Sequence, residues 1–194
     1  MSTKYILAGG YPNKSLDGGR AFFEEMVEGF KQPLNLLDCL FARPRETWDK
    51  VYTDDKKDFA NHIKNIEINF QLSDPGNFTE QVRWADVIYL RGGETDKLIK
   101  LLRNNTGWEK ELVGKTLAGT SAGANAISKY YYKLNGLEVG EGLCLLPIKI
   151  IVHFRSDYNS PNIDWVKAFE VLKSHKEELP IVTLAEGRFE VINR

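Results

Sequence analysis

Histidine is scarce in this chain, with three in 194 residues. Imidazole chemistry is therefore confined to His62, His153 and His175. Cysteine is scarcer still: Cys39 and Cys144 each sit in an apolar run, "LNLLDCLF" and "GLCLLPIKIIV", and neither belongs to a close-spaced ligand pair. Two buried free thiols in a reducing cytosol are the expectation. No histidine and carboxylate cluster has metal-ligand spacing, which argues against a metal-dependent hydrolase and against any bound metal.

An excess of either charge is also missing. Lys and Arg number 26 against 27 Asp and Glu, so the chain offers no electrostatic footprint for nucleic acid or an anionic membrane. No segment approaches the roughly 20 apolar residues of a membrane span, and the first apolar run is too short for a signal sequence. The expected location is cytoplasmic. The glycine-rich stretch "AGGYPNKSLDGG" lacks the spacing of a dinucleotide or Walker loop. It reads as a turn after the first strand, and no cofactor is expected.

What the sequence does contain is alternation. Short, nearly continuous apolar runs recur: "KYILAGG", "PLNLLDCLF", "NIEINFQL", "ADVIYLRGG", "KTLAGTS", "IKIIVHF", "PIVTLAEG" and "RFEVINR". Such runs suit strands covered on both faces, as in a parallel sheet. Residues 16–31, 46–63, 94–104, 123–132 and 163–178 have helical spacing of apolar positions. The pattern predicts an open α/β fold, a mostly parallel sheet flanked by helices on both faces. With no linker or internal repeat, residues 1–194 are expected to form one domain.

Ligands of such sheets bind beyond the carboxyl ends of the strands, and the reactive residue types gather there. The run ending at Ala118 leads into Gly119-Thr-Ser-Ala-Gly123 and then into a helical pattern. That is the context of a nucleophile elbow, in which a serine is presented on a strained turn. Serine is equally a preferred helix N-cap, so Ser121 has two readings from its surroundings alone.

A serine nucleophile needs a base. His62 and His175 lie in helical patterns with charged neighbours, whereas His153 ends a strand on the same edge as Ser121 and is the candidate. A base of this kind needs an acid to hold its tautomer. Glu186, at the end of "PIVTLAEG", is at a strand terminus; Glu138, Glu141, Asp157 and Asp164 are its rivals.

An oxyanion requires fixed N–H donors. The Ala122 N–H follows the serine at the helix start, and the Gly92-Gly93 turn exposes backbone N–H groups before another helix. Arg43 and Arg45 follow the second strand, where a solvated helix start competes with carboxylate binding.

With these residues in view, the chain resembles the serine peptidase family of dipeptidase E and cyanophycinase, on the class I glutamine amidotransferase-like, flavodoxin-like fold. The similar stretches are "FARPRETWD", "ADVIYLRGGETDKLIKLL", "GTSAGANAIS", "LLPIKIIVHF" and "LPIVTLAEG", in the family's order. They run from the second strand nearly to the C-terminus.

The resemblance implies Ser121 as nucleophile, His153 as base, Glu186 as acid, and the N–H groups of Gly93 and Ala122 as oxyanion donors. The Ser, His, Glu order differs from that of α/β-hydrolases, whose acid precedes the histidine. It further implies a hydrolase of short peptides, with aspartyl dipeptides the first substrates to test. No cofactor is expected, and the expected assembly is a monomer or homodimer. Glu94, Arg155 and Arg43 are carried as candidate substrate contacts.

Two features depart from the family pattern. Glu94 stands where relatives similar to dipeptidase E have asparagine, and the chain stops at Arg194, soon after the glutamate motif. Two alternatives stay open: a noncatalytic peptide or metabolite binder, with Glu94 spoiling the oxyanion site, and a hydrolase of a non-peptide amide.

Overall fold

The computed structural model describes residues 2–156 and 163–194. Its larger sheet is built from β1 (Lys4–Ala8), β2 (Leu34–Cys39), β3 (Ile68–Leu72), β4 (Val87–Leu90), β5 (Thr116–Thr120) and β10 (Phe189–Asn193), in the order β10-β1-β5-β4-β2-β3. Every pairing is parallel except β10 with β1.

Alternate strand residues feed two cores. Ile6, Leu36, Tyr89 and Ala118 pack against α1 (Arg20–Val27) and α2 (Trp48–His62), through Phe22, Phe23, Met26 and Phe59. Leu7, Leu37, Ile88 and Leu117 face the other way, onto α3 (Phe78–Trp84), α4 (Thr95–Asn104) and α5 (Ala122–Ile127). Apolar demand on both faces is what made the strands read as continuous runs.

A second, four-stranded sheet has the order β7-β6-β8-β9, from β6 (Tyr130–Lys133), β7 (Glu138–Glu141), β8 (Lys149–Val152) and β9 (Ile181–Leu184). One face joins the core beneath α5 through Tyr131, Ile150 and Val152, and the other packs on α6 (Trp165–Ser174). All six residues of α5, Ala-Gly-Ala-Asn-Ala-Ile, are buried. Small side chains let this short helix lie between two sheets.

The helix expected over residues 123–132 is therefore half helix and half strand. The backbone turns extended at Ser128, whose hydroxyl lies 2.8 Å from the Asn125 carbonyl. The three tyrosines beyond it alternate, Tyr131 toward one core and Tyr130 and Tyr132 toward the other. Aromatic residues favour the pleated surface, and here both faces are apolar.

The expected helix at 16–31 is shorter too, because Asp17 accepts from the N–H groups of Gly19 and Ala21 and holds the preceding segment as a turn. The brief elements α3 and β7 carry too little periodicity to be read from sequence. Both cysteines are free, but only Cys39 is buried; Cys144 is exposed, contrary to expectation. It lies in the β7 to β8 connection, at positive φ. Among the described residues no helix is long and apolar enough to cross a membrane.

Candidate active site

Ser121 is the single residue between β5 and α5. Its backbone sits at φ 50° and ψ −104°, a region that costs a non-glycine residue about 1–3 kcal/mol. Neighbouring bonds hold it there: its N–H donates to the Ala8 carbonyl and its carbonyl accepts from the Asn125 N–H, both at 2.9 Å. Ser121 stands at the N-cap position, yet its side chain makes no cap bond. The hydroxyl points instead to His153, with Oγ 2.9 Å from Nε2.

The flanking glycines have a steric cause. A Cβ on Gly119 would run into the backbone of Gly123, and one on Gly123 would run into the Leu90 carbonyl. Strand and helix approach too closely at this elbow for side chains on either side of the serine.

His153 follows β8, at φ 53°. Its N–H donates to the Gly9 carbonyl at 2.9 Å, so the second sheet delivers the imidazole to the edge of the first. Nδ1 lies 3.0 Å from Glu186 Oε1. An ionised Glu186 accepts from Nδ1–H, which leaves Nε2 as the basic nitrogen facing the serine. Burial holds the imidazole below its ordinary value of 6.5, against the opposing pull of the Glu186 hydrogen bond.

Glu186 sits in the turn between β9 and β10, its side chain 9% exposed. Oε1 also accepts from the Ser156 hydroxyl at 2.8 Å, and Oε2 pairs with the Lys14 ammonium. Burial alone would raise this carboxyl; the contacts from Lys14, Ser156 and His153 outweigh it and keep the group below the usual glutamate range.

The rival acids are engaged elsewhere. Glu138 and Glu141 pair with Lys133 and Lys176, and Asp164 caps α6. Asp157 lies outside the described residues.

Gly92 and Gly93 end β4 beside the elbow, where a Cβ on Gly92 would come within 3.3 Å of Ser121 Cβ. The turn is stitched in place by Gly92 N–H to Thr120 Oγ1 at 3.1 Å and Glu94 N–H to the Ala42 carbonyl at 2.9 Å. Among the described residues no acceptor takes the N–H of Gly93 or of Ala122. Gly93, at φ 155°, packs so tightly on Ala42 that a Cβ would strike its carbonyl.

The candidate substrate contacts are dispersed. Glu94 is exposed at the start of α4 and does not cap it. Arg155 is exposed, its guanidinium 5.2 Å from the Phe154 ring centre. Arg43 is partly buried and its charge acts on Asp55; its carbonyl accepts from Lys97 Nζ at 2.8 Å. Of the other histidines, His62 stacks on Phe23 and His175 meets Tyr130 edge-on. Among the described residues no three His, Cys, Asp or Glu side chains are grouped to hold a metal.

Three contributors to this region were not evident in the sequence. Lys14 and Ser156 contact Glu186, and Gly10 abuts His153 so closely that a Cβ would overlap the ring. The stretch containing Gly10 and Lys14 read only as a turn.

A buried acid pair is shared between β2 and α2. Asp38 is 1% exposed and Asp55 2% exposed. Arg91 Nε lies 2.9 Å from Asp55 Oδ2, an ion pair by distance at an angle that does not make a hydrogen bond. Burial raises both carboxyls, and in Asp38 the neighbouring Asp55 raises it further. Arg91 also donates to Tyr89 Oη at 2.9 Å, directly before the Gly92-Gly93 turn.

The sequence model of Peptidase family S51 matches residues 41–193. No curated protein matches the chain. Among solved structures, a protein from Listeria monocytogenes EGD-e provisionally described as a peptidase E superposes with a TM-score of 0.66 at 19% identity, covering 100% of this chain and 98% of that one. A peptidase from an acI-B1 Actinobacterium superposes with a TM-score of 0.68 at 23% identity, covering 99% of this chain and 84% of that one. At these identities the likeness is one of fold.

Proposed function

The chain belongs to peptidase family S51 and is a serine-type peptidase, and from that premise we propose that it hydrolyses short peptides through Ser121, His153 and Glu186. The observation that carries the reading is the unbroken line from Ser121 Oγ through both ring nitrogens of His153 to Glu186, with contacts of 2.9 and 3.0 Å.

In this mechanism Ser121 Oγ attacks the scissile carbonyl carbon while His153 Nε2 takes its proton. Glu186 holds the ring and stabilises the imidazolium. The tetrahedral oxyanion is received by the N–H groups of Gly93 and Ala122, which are oriented beforehand and need no reorganisation. Collapse breaks the C–N bond as His153 returns the proton to the leaving amine. Water, activated by the same imidazole, then releases the acyl group from Ser121.

Aspartyl dipeptides are the proposed first substrates, on the resemblance to dipeptidase E. A panel of dipeptides with Asp, Glu, Arg or a neutral residue first, assayed for amine release, tests this. Preference for Asp supports the assignment; equal rates across the panel contradict the aspartyl specificity while leaving the peptidase reading in place.

A further inference from the structure

The segment joining β1 to α1 reads from sequence as an ordinary turn, and it lies outside the family match over residues 41–193. In the fold it is a wall of the candidate active site. Gly9 N–H donates to the Arg188 carbonyl at 3.0 Å, and Gly187 N–H donates to the Gly10 carbonyl at 2.9 Å. A Cβ on Gly187 would strike the backbone at Lys14 and Ser15. The connection is therefore docked directly on the turn that carries Glu186.

From this wall Lys14 reaches Glu186. Its ammonium pairs with Oε2, the carboxyl oxygen that His153 does not use, and lies 4.8 Å from the centre of the Tyr11 ring. The Tyr11 ring in turn meets the imidazole edge-on at 5.8 Å. Lys14 and the imidazole thus share one carboxylate, with Tyr11 against both, although Lys14 and Glu186 are 172 positions apart in sequence.

We propose that Lys14 is a positioning residue for the peptidase reaction: through the second oxygen of Glu186 it offsets, by its charge, part of that carboxylate's pull on the proton of His153. The proposal rests on the Ser121, His153, Glu186 reading given above.

The other groups facing the imidazole set the background against which Lys14 acts. Ser121 lies at Nε2 and Glu186 at Nδ1, while the Ser156 hydroxyl acts through the same Glu186 oxygen. Arg155, on the histidine's own loop, directs its guanidinium over Phe154. Glu186 favours the imidazolium; Lys14 opposes it. The lysine side chain is 56% exposed, so its influence is partly screened and sensitive to salt.

The sign follows from the chemistry. The base must be neutral to accept the serine proton, and a nearby cation disfavours the imidazolium. Removing the cation raises the imidazole pKa and moves the acid limb of the rate profile to higher pH.

The test is kcat/KM against pH, from 4.5 to 9, for the wild type, Lys14→Met and Lys14→Arg, with Lys57→Met on α2 as a control for net charge. In Lys14→Met the acid limb should move up by about 0.3–1 unit, equivalent to a roughly 2- to 10-fold loss on the limb and little loss on the plateau. Lys14→Arg should restore the limb, Lys57→Met should leave it in place, and 1 M salt should shrink the difference.

An unmoved limb in Lys14→Met overturns the proposal. So does a loss of equal size at every pH, which would assign Lys14 a packing role only. A wild-type profile with no acid limb would instead remove the histidine base itself, and with it this proposal. That failure is distinguishable, because Lys14 variants are not needed to see it.

Discussion

The Nε2 atom of His153 lies 2.9 Å from Oγ of Ser121, although the two residues end strands of different sheets. Ser121 follows β5 of the larger sheet and His153 follows β8 of the smaller one. The hydrogen bond from the His153 N–H to the Gly9 carbonyl closes the gap between them. The proposed site is thus a product of how the sheets dock around α5, and its geometry depends on that short helix remaining small and buried.

The first consequence concerns pH. Burial holds the imidazole below 6.5 and outweighs the opposing effect of Glu186, so the neutral base persists into mildly acidic solution. The rate should be level near neutrality and fall as protons bind, with a limb below pH 6.5. A kcat/KM profile measured on the most reactive peptide checks this; a limb centred above 6.5 contradicts it.

Replacing Glu186 with glutamine keeps the size of the side chain and removes the charge. The amide can present its N–H₂ to Nδ1, which favours the wrong tautomer and leaves a proton on Nε2 facing the serine. A fall in kcat of about 10³- to 10⁴-fold is expected, with KM changed far less. Substituting Glu138 or Glu141, which bind lysines away from the site, should change kcat less than 2-fold on the same order-of-magnitude scale. Stopped or continuous amine-release assays separate the two outcomes.

The buried pair Asp38 and Asp55 depends on Arg91 for its charge balance. Arg91→Met leaves the acids without that cation and should lower stability by roughly 3–5 kcal/mol, read as a lower urea midpoint. Both carboxyls have raised folded-state pKa values. Their contribution is therefore fully present below the unfolded aspartate pKa and is lost as pH rises through the folded values. The urea midpoint of the variant should improve from pH 8 to pH 5; an unchanged midpoint relative to wild type at both values would contradict the pairing.

Much of the sheet was legible because its strands are buried on both faces and therefore announce themselves as apolar runs. The elbow was legible for a related reason: Gly119 and Gly123 are demanded by backbone contacts on either side of Ser121. His153 and Glu186 could be read as candidates because each follows such a run.

The parts that escaped are those settled by packing at a distance. Nothing local distinguishes "YYYK" as a strand from the tail of a helix until a second sheet offers it two apolar faces. The contact of Lys14 with Glu186 has no signal at all in the stretch around Lys14. The Asp38 and Asp55 pair is equally silent, since one acid lies in an apolar strand and the other in a mostly polar helix.

The role proposed for Ser121 as nucleophile is tested by kcat/KM of Ser121→Ala beside the wild type, on the most reactive peptide of the panel, with circular dichroism run on both. Matching spectra and a loss of about 10⁴-fold or more are expected, the scale of losing a nucleophile that works as part of a triad. A folded Ser121→Ala protein that retains a tenth or more of the wild-type rate, where the order-of-magnitude scale leaves no room for a lost nucleophile, would contradict it.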